Sequence, residues 1–158
     1  DALIDGGGQE MNLRSGTLPV PLCIGFGEAA RIARLELSKD YDKTKMLRDY
    51  FINSIKERIQ GISINGSEKY RLPGNINFSI SGINSINLIS KLKKTVVSSG
   101  SACTSSSIEP SYVLKAMKLK KNVIESSIRV GIGKFNNKKE INIAIKELEV
   151  IVHKMRNK

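Results

Sequence analysis

The stretch VVSSGSACTSSSIEPSY, Val96–Tyr112, places one thiol, Cys103, among small and polar residues. A structural cysteine ordinarily packs among large apolar side chains. The neighbours here are Ser, Gly, Ala and Thr, which suit a nucleophile on a loop that must reach its target. The thiolate is the reactive form, and a free thiol titrates near about 8.5, so nearby cations or the positive end of a helix opening near Pro110 would have to favour it. The plainer alternative is an ordinary loop thiol. The one histidine, His153, falls on the polar side of the final helical pattern, which weighs against a Cys–His dyad. Something other than a histidine base must then activate the thiol or its target.

A second residue with chemistry to offer is Arg129, in SSIRVGI (Ser126–Ile132). Ile128, Val130 and Ile132 alternate to one face, leaving Arg129 on the other. Ser126, Ser127, Gly131 and Gly133 keep the surroundings open, so the guanidinium has room to grip a carboxylate with a two-bond fork. The alternative is an arginine that merely lines the solvent side of a strand.

Other motifs carry less. GFGEAA (Gly25–Ala30) matches a dinucleotide-binding pattern but lies inside a helical stretch and follows no strand. GIGK (Gly131–Lys134) lacks the spacing of a phosphate loop. His153–Lys154 lies on an amphipathic helix rather than a pocket loop. Cys23, among apolar residues of a helix, is expected to pack in the core. No C-x-x-C or Cys/His cluster suggests a metal, and two distant cysteines point to a reducing compartment.

The 158 residues suit one domain with a sizeable core. The net charge of +11 invites a nucleic-acid reading. Of the 26 basic residues, however, 18 are Lys and 8 are Arg, and aromatics make up only 5%. Forks for phosphate and platforms for base stacking are therefore scarce. No run approaches the roughly 20 apolar residues of a membrane span. The start, DALIDGGGQE, has no signal-peptide pattern and reads as the interior of a longer protein.

The elements that must position Cys103 and Arg129 follow from periodicity. Residues 1–18 read as loop, with Pro19 opening a helix. Ile24, Ala29, Ile32, Ala33 and Leu37 recur at helical spacing, and Met46, Leu47, Tyr50, Phe51, Ile55 and Ile59 form a second helical run closed by Gly61. Short strands are expected at Ile62–Ile64, before an Asn65-Gly66 turn, and at NINFSI, where Ile76, Phe78 and Ile80 face one way and Asn77 and Ser79 the other. A helix capped by Ser85 should run through Leu92. A strand at Thr95–Ser98 should lead into the Cys103 loop, and a helix from Pro110 should reach Met117. The last helix carries Ile141, Ala144, Ile145, Leu148, Ile151, Val152 and Met155 in one stripe, with Asn137 and Glu140 resembling a capping box. The sum is an α+β domain with a small sheet flanked by helices.

Taken together, DGGGQE…LRSGTLPVPL, GEAARIA, SSGSACTSSSIEPSYVLKAM and SSIRVGIGKF resemble the C-terminal part of a cysteine desulfurase of the NifS/IscS type, from Asp5 to the last helix. The resemblance implies the small domain of a fold-type I enzyme that is α/β overall when intact. Residues 1–20 would be an active-site and dimer-interface loop of the large domain. Residues 21–158 would be the small domain, with the catalytic loop at about 98–109. It implies that Cys103 takes sulfur from L-cysteine as a persulfide, leaving alanine, while pyridoxal 5′-phosphate (PLP) activates the C–S bond. Arg129 would grip the substrate carboxylate, and Thr17, in RSGT, would reach the cofactor phosphate of the partner subunit. The family's PLP lysine lies upstream of the matching motifs, so this chain alone is expected to be inactive. Met11 and Asn12 stand where the family commonly has Arg and Gly, and the family's longer scaffold-docking tail does not follow the last helix. The implied partners are a second subunit and a sulfur acceptor or iron–sulfur scaffold, in the bacterial cytoplasm or a mitochondrial matrix. The competing readings are a persulfide carrier without PLP chemistry of its own and a basic nucleic-acid-binding domain.

Overall fold

A computed structural model describes residues 1–99 and 111–157. The described chain divides into two compact units, Asp1–Lys39 and Asp40–Lys158. The helix α1 (Val20–Arg58) begins in the first and ends in the second.

The first unit opens with a folded turn. Ile4 and Arg14 form a parallel bridge, Leu3 N–H donates to Leu13 O at 2.7 Å, and Ser15 Oγ donates to Asp5 O at 2.7 Å. Between them Glu10, Met11 and Asn12 take φ of 52°, 56° and 61°. Three consecutive left-handed residues are uncommon outside glycine, and asparagine tolerates that region better than most. Asn12, where the resemblance implies a glycine, is the one of the three best suited to this conformation.

The spacing predicts two helices between Cys23 and Ile59; the structure has one of 39 residues. The intervening SKDYDKTK interrupts the apolar stripe but contains no Gly or Pro, and such residues each cost only tenths of a kcal/mol in a helix. Lys43 Nζ donates to Lys134 O at 2.6 Å, and Lys134 pairs with Asp40 at 3.6 Å, so these polar positions are tied down rather than unwound. Burial changes along the helix. Residues 20–39 are exposed except for the half-buried Ile32, whereas Leu47, Phe51, Ile52 and Ile55 are in the core. Cys23 is therefore exposed, not packed as expected: among the described residues its stretch of α1 has no covering surface.

The second unit is built on a three-stranded antiparallel sheet, β1 (Ile62–Ile64), β2 (Asn75–Ile80) and β3 (Ser127–Gly131), in the order β1-β2-β3. The alternation read from the sequence holds. Ile76, Phe78, Ile80, Ile128 and Val130 turn to one face and meet Leu47, Phe51 and Ile55 of α1, Ile59 just after it, and Ile141, Ile145, Leu148 and Val152 of α5 (Lys138–Arg156) in one core. Phe51 and Phe78 lie with ring centroids 6.0 Å apart. The α5 capping box forms with asparagine as the cap: Asn137 Oδ1 accepts from Glu140 N–H at 3.1 Å, and Glu140 Oε2 accepts from Asn137 N–H at 3.2 Å.

Gly74 explains how β2 starts. Its carbonyl accepts from Ile132 N–H at 2.8 Å, and a Cβ at Gly74 would lie 2.0 Å from Ile132 O, so only glycine allows the two backbones this close.

Several short elements differ from expectation. The helix α2 spans Ser85–Ile89, not to Leu92, and its cap is Asn84; Ser85 Oγ instead donates to Glu125 O at 2.8 Å. Thr95–Ser98 is not a strand: it makes one antiparallel bridge, Ser98 with Arg129. The helix α3 (Tyr112–Ala116) is capped by Ser111, and Pro110, expected to open it, lies outside the described residues. An unexpected helix, α4 (Lys121–Glu125), has no side-chain cap and is too short to show a period. The α+β class stands, with a smaller sheet.

Candidate functional site

Arg129 sits near the middle of β3, exposed between the buried Ile128 and Val130. Its backbone bonds to one side and faces a register partner, without a main-chain bond, on the other. The register partner is Asn77 of β2. On the bonded side, Arg129 N–H donates to Ser98 O at 2.6 Å and Ser98 N–H donates to Arg129 O at 3.1 Å. The Arg129 side chain makes no hydrogen bond or ion pair among the described residues. An open, backbone-anchored guanidinium of this kind is suited to an anionic ligand.

Ser98 is also the root of the cysteine loop. Cys103 itself lies outside the described residues, as does most of the segment at 98–109. The approach to that root is fixed by Glu147 of α5, whose Oε1 accepts from Lys93 N–H at 2.7 Å and Lys94 N–H at 2.9 Å. Burial acts to raise the Glu147 pKa, but hydrogen bonds from Lys93, the Thr95 side chain and Lys94, with the Lys94 charge, outweigh it and leave the carboxyl below its ordinary range. Beyond the loop, Ser111 Oγ accepts from Leu114 N–H at 3.4 Å.

The polar face of the sheet was legible in NINFSI, but its network was not. Asn65 Nδ2 donates to Asn77 Oδ1 at 2.7 Å and to Ser127 Oγ at 2.9 Å. Ser127 Oγ donates to Val123 O of α4 at 2.6 Å. Asn65, a turn residue in the sequence reading, is in fact buried, and its main-chain N–H donates to Asn77 O at 2.8 Å. No local pattern signals this, because the partners lie 12 and 62 residues away.

Thr17 belongs to the first unit and Arg129 to the second. Thr17 is exposed, beside Gly16 with φ of 99°. The loop behind it is braced: Gly16 N–H donates to Gln9 Oε1 at 3.1 Å and Arg14 Nη1 donates to Gly16 O at 2.9 Å. A hydroxyl on a braced loop is a suitable donor to a phosphate dianion, so the residues present fit one edge of a phosphate-bearing cofactor. His153 and Lys154 are exposed on α5. No helix among the described residues is long and apolar enough to cross a membrane.

Comparison with known proteins gives this arrangement a context. The sequence is 46% identical over 154 residues to the cysteine desulfurase IscS of Rickettsia akari and 44% identical over 154 residues to that of Rickettsia massiliae. In both cases 98% of this chain is covered, and it spans 38% of the relative's length. Among solved structures, a NifS-like protein from Rickettsia africae matches 97% of this chain and 40% of its own with a TM-score of 0.83 at 28% identity. The helices and small antiparallel sheet described above are thus those of NifS-like proteins. The family model for class-V aminotransferases matches residues 5–143. The chain belongs to the class-V aminotransferase family.

Proposed function

We propose that this chain is the C-terminal part of a PLP-dependent cysteine desulfurase. The observation that carries the reading is Arg129, an open guanidinium whose backbone is bonded to Ser98, five residues before Cys103. The identity to cysteine desulfurases over nearly all of the chain supports it.

In this reading Arg129 binds and orients L-cysteine through its carboxylate. The Cys103 thiolate attacks the substrate sulfur. An S–S bond forms and the C–S bond breaks, its electron pair remaining on carbon, which takes up a proton. The products are L-alanine and a persulfide on Cys103, and no external oxidant is needed. PLP, when bound, supplies the electron sink that allows the C–S bond to break. Thr17 would donate to its phosphate in a partner subunit, residues 1–20 serving a larger domain at the dimer interface and residues 21–158 forming the small domain. The exposed apolar side chains Leu22, Ile24 and Phe26 offer a surface for the remainder of an enzyme as long as its relatives. The persulfide would pass to a sulfur acceptor or an iron–sulfur scaffold in the cytoplasm.

The test is Cys103→Ser in the intact enzyme. Serine lacks the nucleophilicity and cannot carry a second sulfur. Alanine and sulfide formation are expected to stop while PLP absorbance persists, and mass spectrometry of the unaltered enzyme should find one extra sulfur on the Cys103 peptide. Retained turnover, or the sulfur on Cys23, would overturn the reading.

A further inference from the structure

The polar face of the sheet holds a row of directly opposed residues: Asn65, Asn77, Arg129 and Ser98. A second row, one pleat along, contains Ser63, Ser79 and Ser127. The two rows differ in access. Ser79 and Ser127 are buried, and α4 lies over Ser127 through its bond to Val123 O. Asn77 is half-buried and Arg129 exposed. The polar face is closed at one row and open at the next.

The orientation of the Asn77 amide follows from proton accounting along the network. The single hydroxyl proton of Ser127 is given to Val123 O at 2.6 Å, so Ser127 Oγ can only accept from Asn65. The Asn65 atom that meets it is therefore the amide nitrogen, and this same nitrogen meets Asn77 at 2.7 Å. Asn77 must present its oxygen there. Its Nδ2 is then turned away from Asn65, and the residue directly across the ladder on the other side is Arg129. Opposed residues on one face have Cβ atoms about 4.5–5.5 Å apart. An amide NH2 and a guanidinium are both donors and cannot satisfy one another. What fits beside them is an anionic acceptor with two oxygens.

We propose that Asn77 is a second anchor for the substrate carboxylate, beside Arg129, and that Asn65 and Ser127 fix its amide for that purpose. This rests on the reading of Arg129 given above. Arg129 supplies charge; Asn77 supplies a donor of fixed direction that selects how the carboxylate sits. The Asn65–Ser127–Val123 chain is what keeps the amide from turning over.

The experiment uses the full-length, PLP-loaded enzyme, with Asn77→Ala, the near-isosteric Asn77→Asp, and Arg129→Lys. Losing one hydrogen bond to a charged ligand is expected to raise KM for L-cysteine about tenfold in Asn77→Ala, with kcat changed less than about twofold. Asn77→Asp keeps an acceptor for Asn65, so its fold is retained, but its charge pairs with Arg129 and repels the substrate; KM should rise further, about a hundredfold. Competition by L-alanine should weaken in step with KM. Competition by cysteamine, which has the amine and thiol but no carboxylate, should not change. If Arg129→Lys raises KM while both Asn77 variants leave it unchanged, the Asn77 inference fails and the reading of Arg129 stands. If none of the three moves KM, both fail. Equal weakening of L-alanine and cysteamine would reduce Asn77 to a structural role and overturn the proposal.

Discussion

The two ends of α1 are made of similar residues and meet opposite fates. Residues 20–39 include Val20, Leu22, Ile24, Phe26, Leu35 and Leu37, all exposed, with Phe26 at 78%. Further along the same helix, Phe51 is 1% and Ile55 0% exposed. Helical periodicity registers both stretches. It reports that a face is apolar and is silent on whether the covering surface belongs to the same chain. In residues 40–58 that surface is the sheet and α5. In residues 20–39 it is not among the described residues of the first unit. A stripe of apolar residues in sequence is evidence for an interface, and only the structure says which side of the interface is present.

The contrast can be broken first with one substitution made at two places. Gly74→Ala puts a methyl group 2.0 Å from Ile132 O and 2.9 Å from Thr44 Cγ2, with backbone on the colliding side. It is expected to cost about 4 kcal/mol or more and to abolish a cooperative urea transition. At Gly25 and Gly27 a Cβ meets nothing within 4 Å, so Gly→Ala in this helical stretch should add up to about 1 kcal/mol. Equal responses at Gly74 and Gly25 would refute the difference in packing.

A second pair tests burial itself. Phe51→Ala should lower stability by about 3–5 kcal/mol, because it removes a ring packed on Phe78. Phe26→Ala should change it by less than about 0.5 kcal/mol in this chain. Denaturant melts of the two variants decide the matter, and a large loss in Phe26→Ala would show that residues 20–39 have a partner within the chain.

The smallest effect concerns Glu147. Its pKa is held below the ordinary value, so the carboxylate form is favoured by folding and the stabilisation is complete above the unfolded pKa, about 4.3. The stabilisation is lost as pH falls from there through the lower value held in the fold. Glu147→Gln should therefore be less stable than the parent at neutral pH, with the gap narrowing on acidification. A gap that is constant down to pH 3 would show that the bonds to Lys93 and Lys94 owe nothing to the charge.

These differences also mark what the sequence could disclose. The alternation of NINFSI and SSIRVGI named both faces of the sheet correctly, including Arg129 on the open side, because a strand with one buried face leaves its pattern in adjacent residues. The α5 stripe and its Asn137–Glu140 box were legible for the same reason. The continuity of α1 was not, since a lapse in apolar spacing is a change of environment and not a break in hydrogen bonding. The segment Thr95–Ser98 has the β-branched residues of a strand, but it meets β3 in a single pair, Ser98 with Arg129. Asn77 was placed on its face by period alone; the orientation of its amide depends on Asn65, Ser127 and Val123, which no window of sequence brings together.

The bonded Asn65 side chain has a last consequence, for the chemical lifetime of the domain. Asparagine followed by glycine is the dipeptide most prone to deamidate: the glycine nitrogen attacks the side-chain carbonyl carbon, and ammonia leaves. Asn65-Gly66 is such a pair, and Gly66, with φ of 85°, has no side chain to slow the attack. In the folded domain both Asn65 Nδ2 bonds hold the amide against Asn77 and Ser127, away from its own backbone. Folding thus shields this bond from hydrolysis, and each excursion to the unfolded state exposes it. An aspartate formed there would return without the two donors, one to Asn77 and one to Ser127, so wear at one residue would surface as a loosened residue on the neighbouring strand.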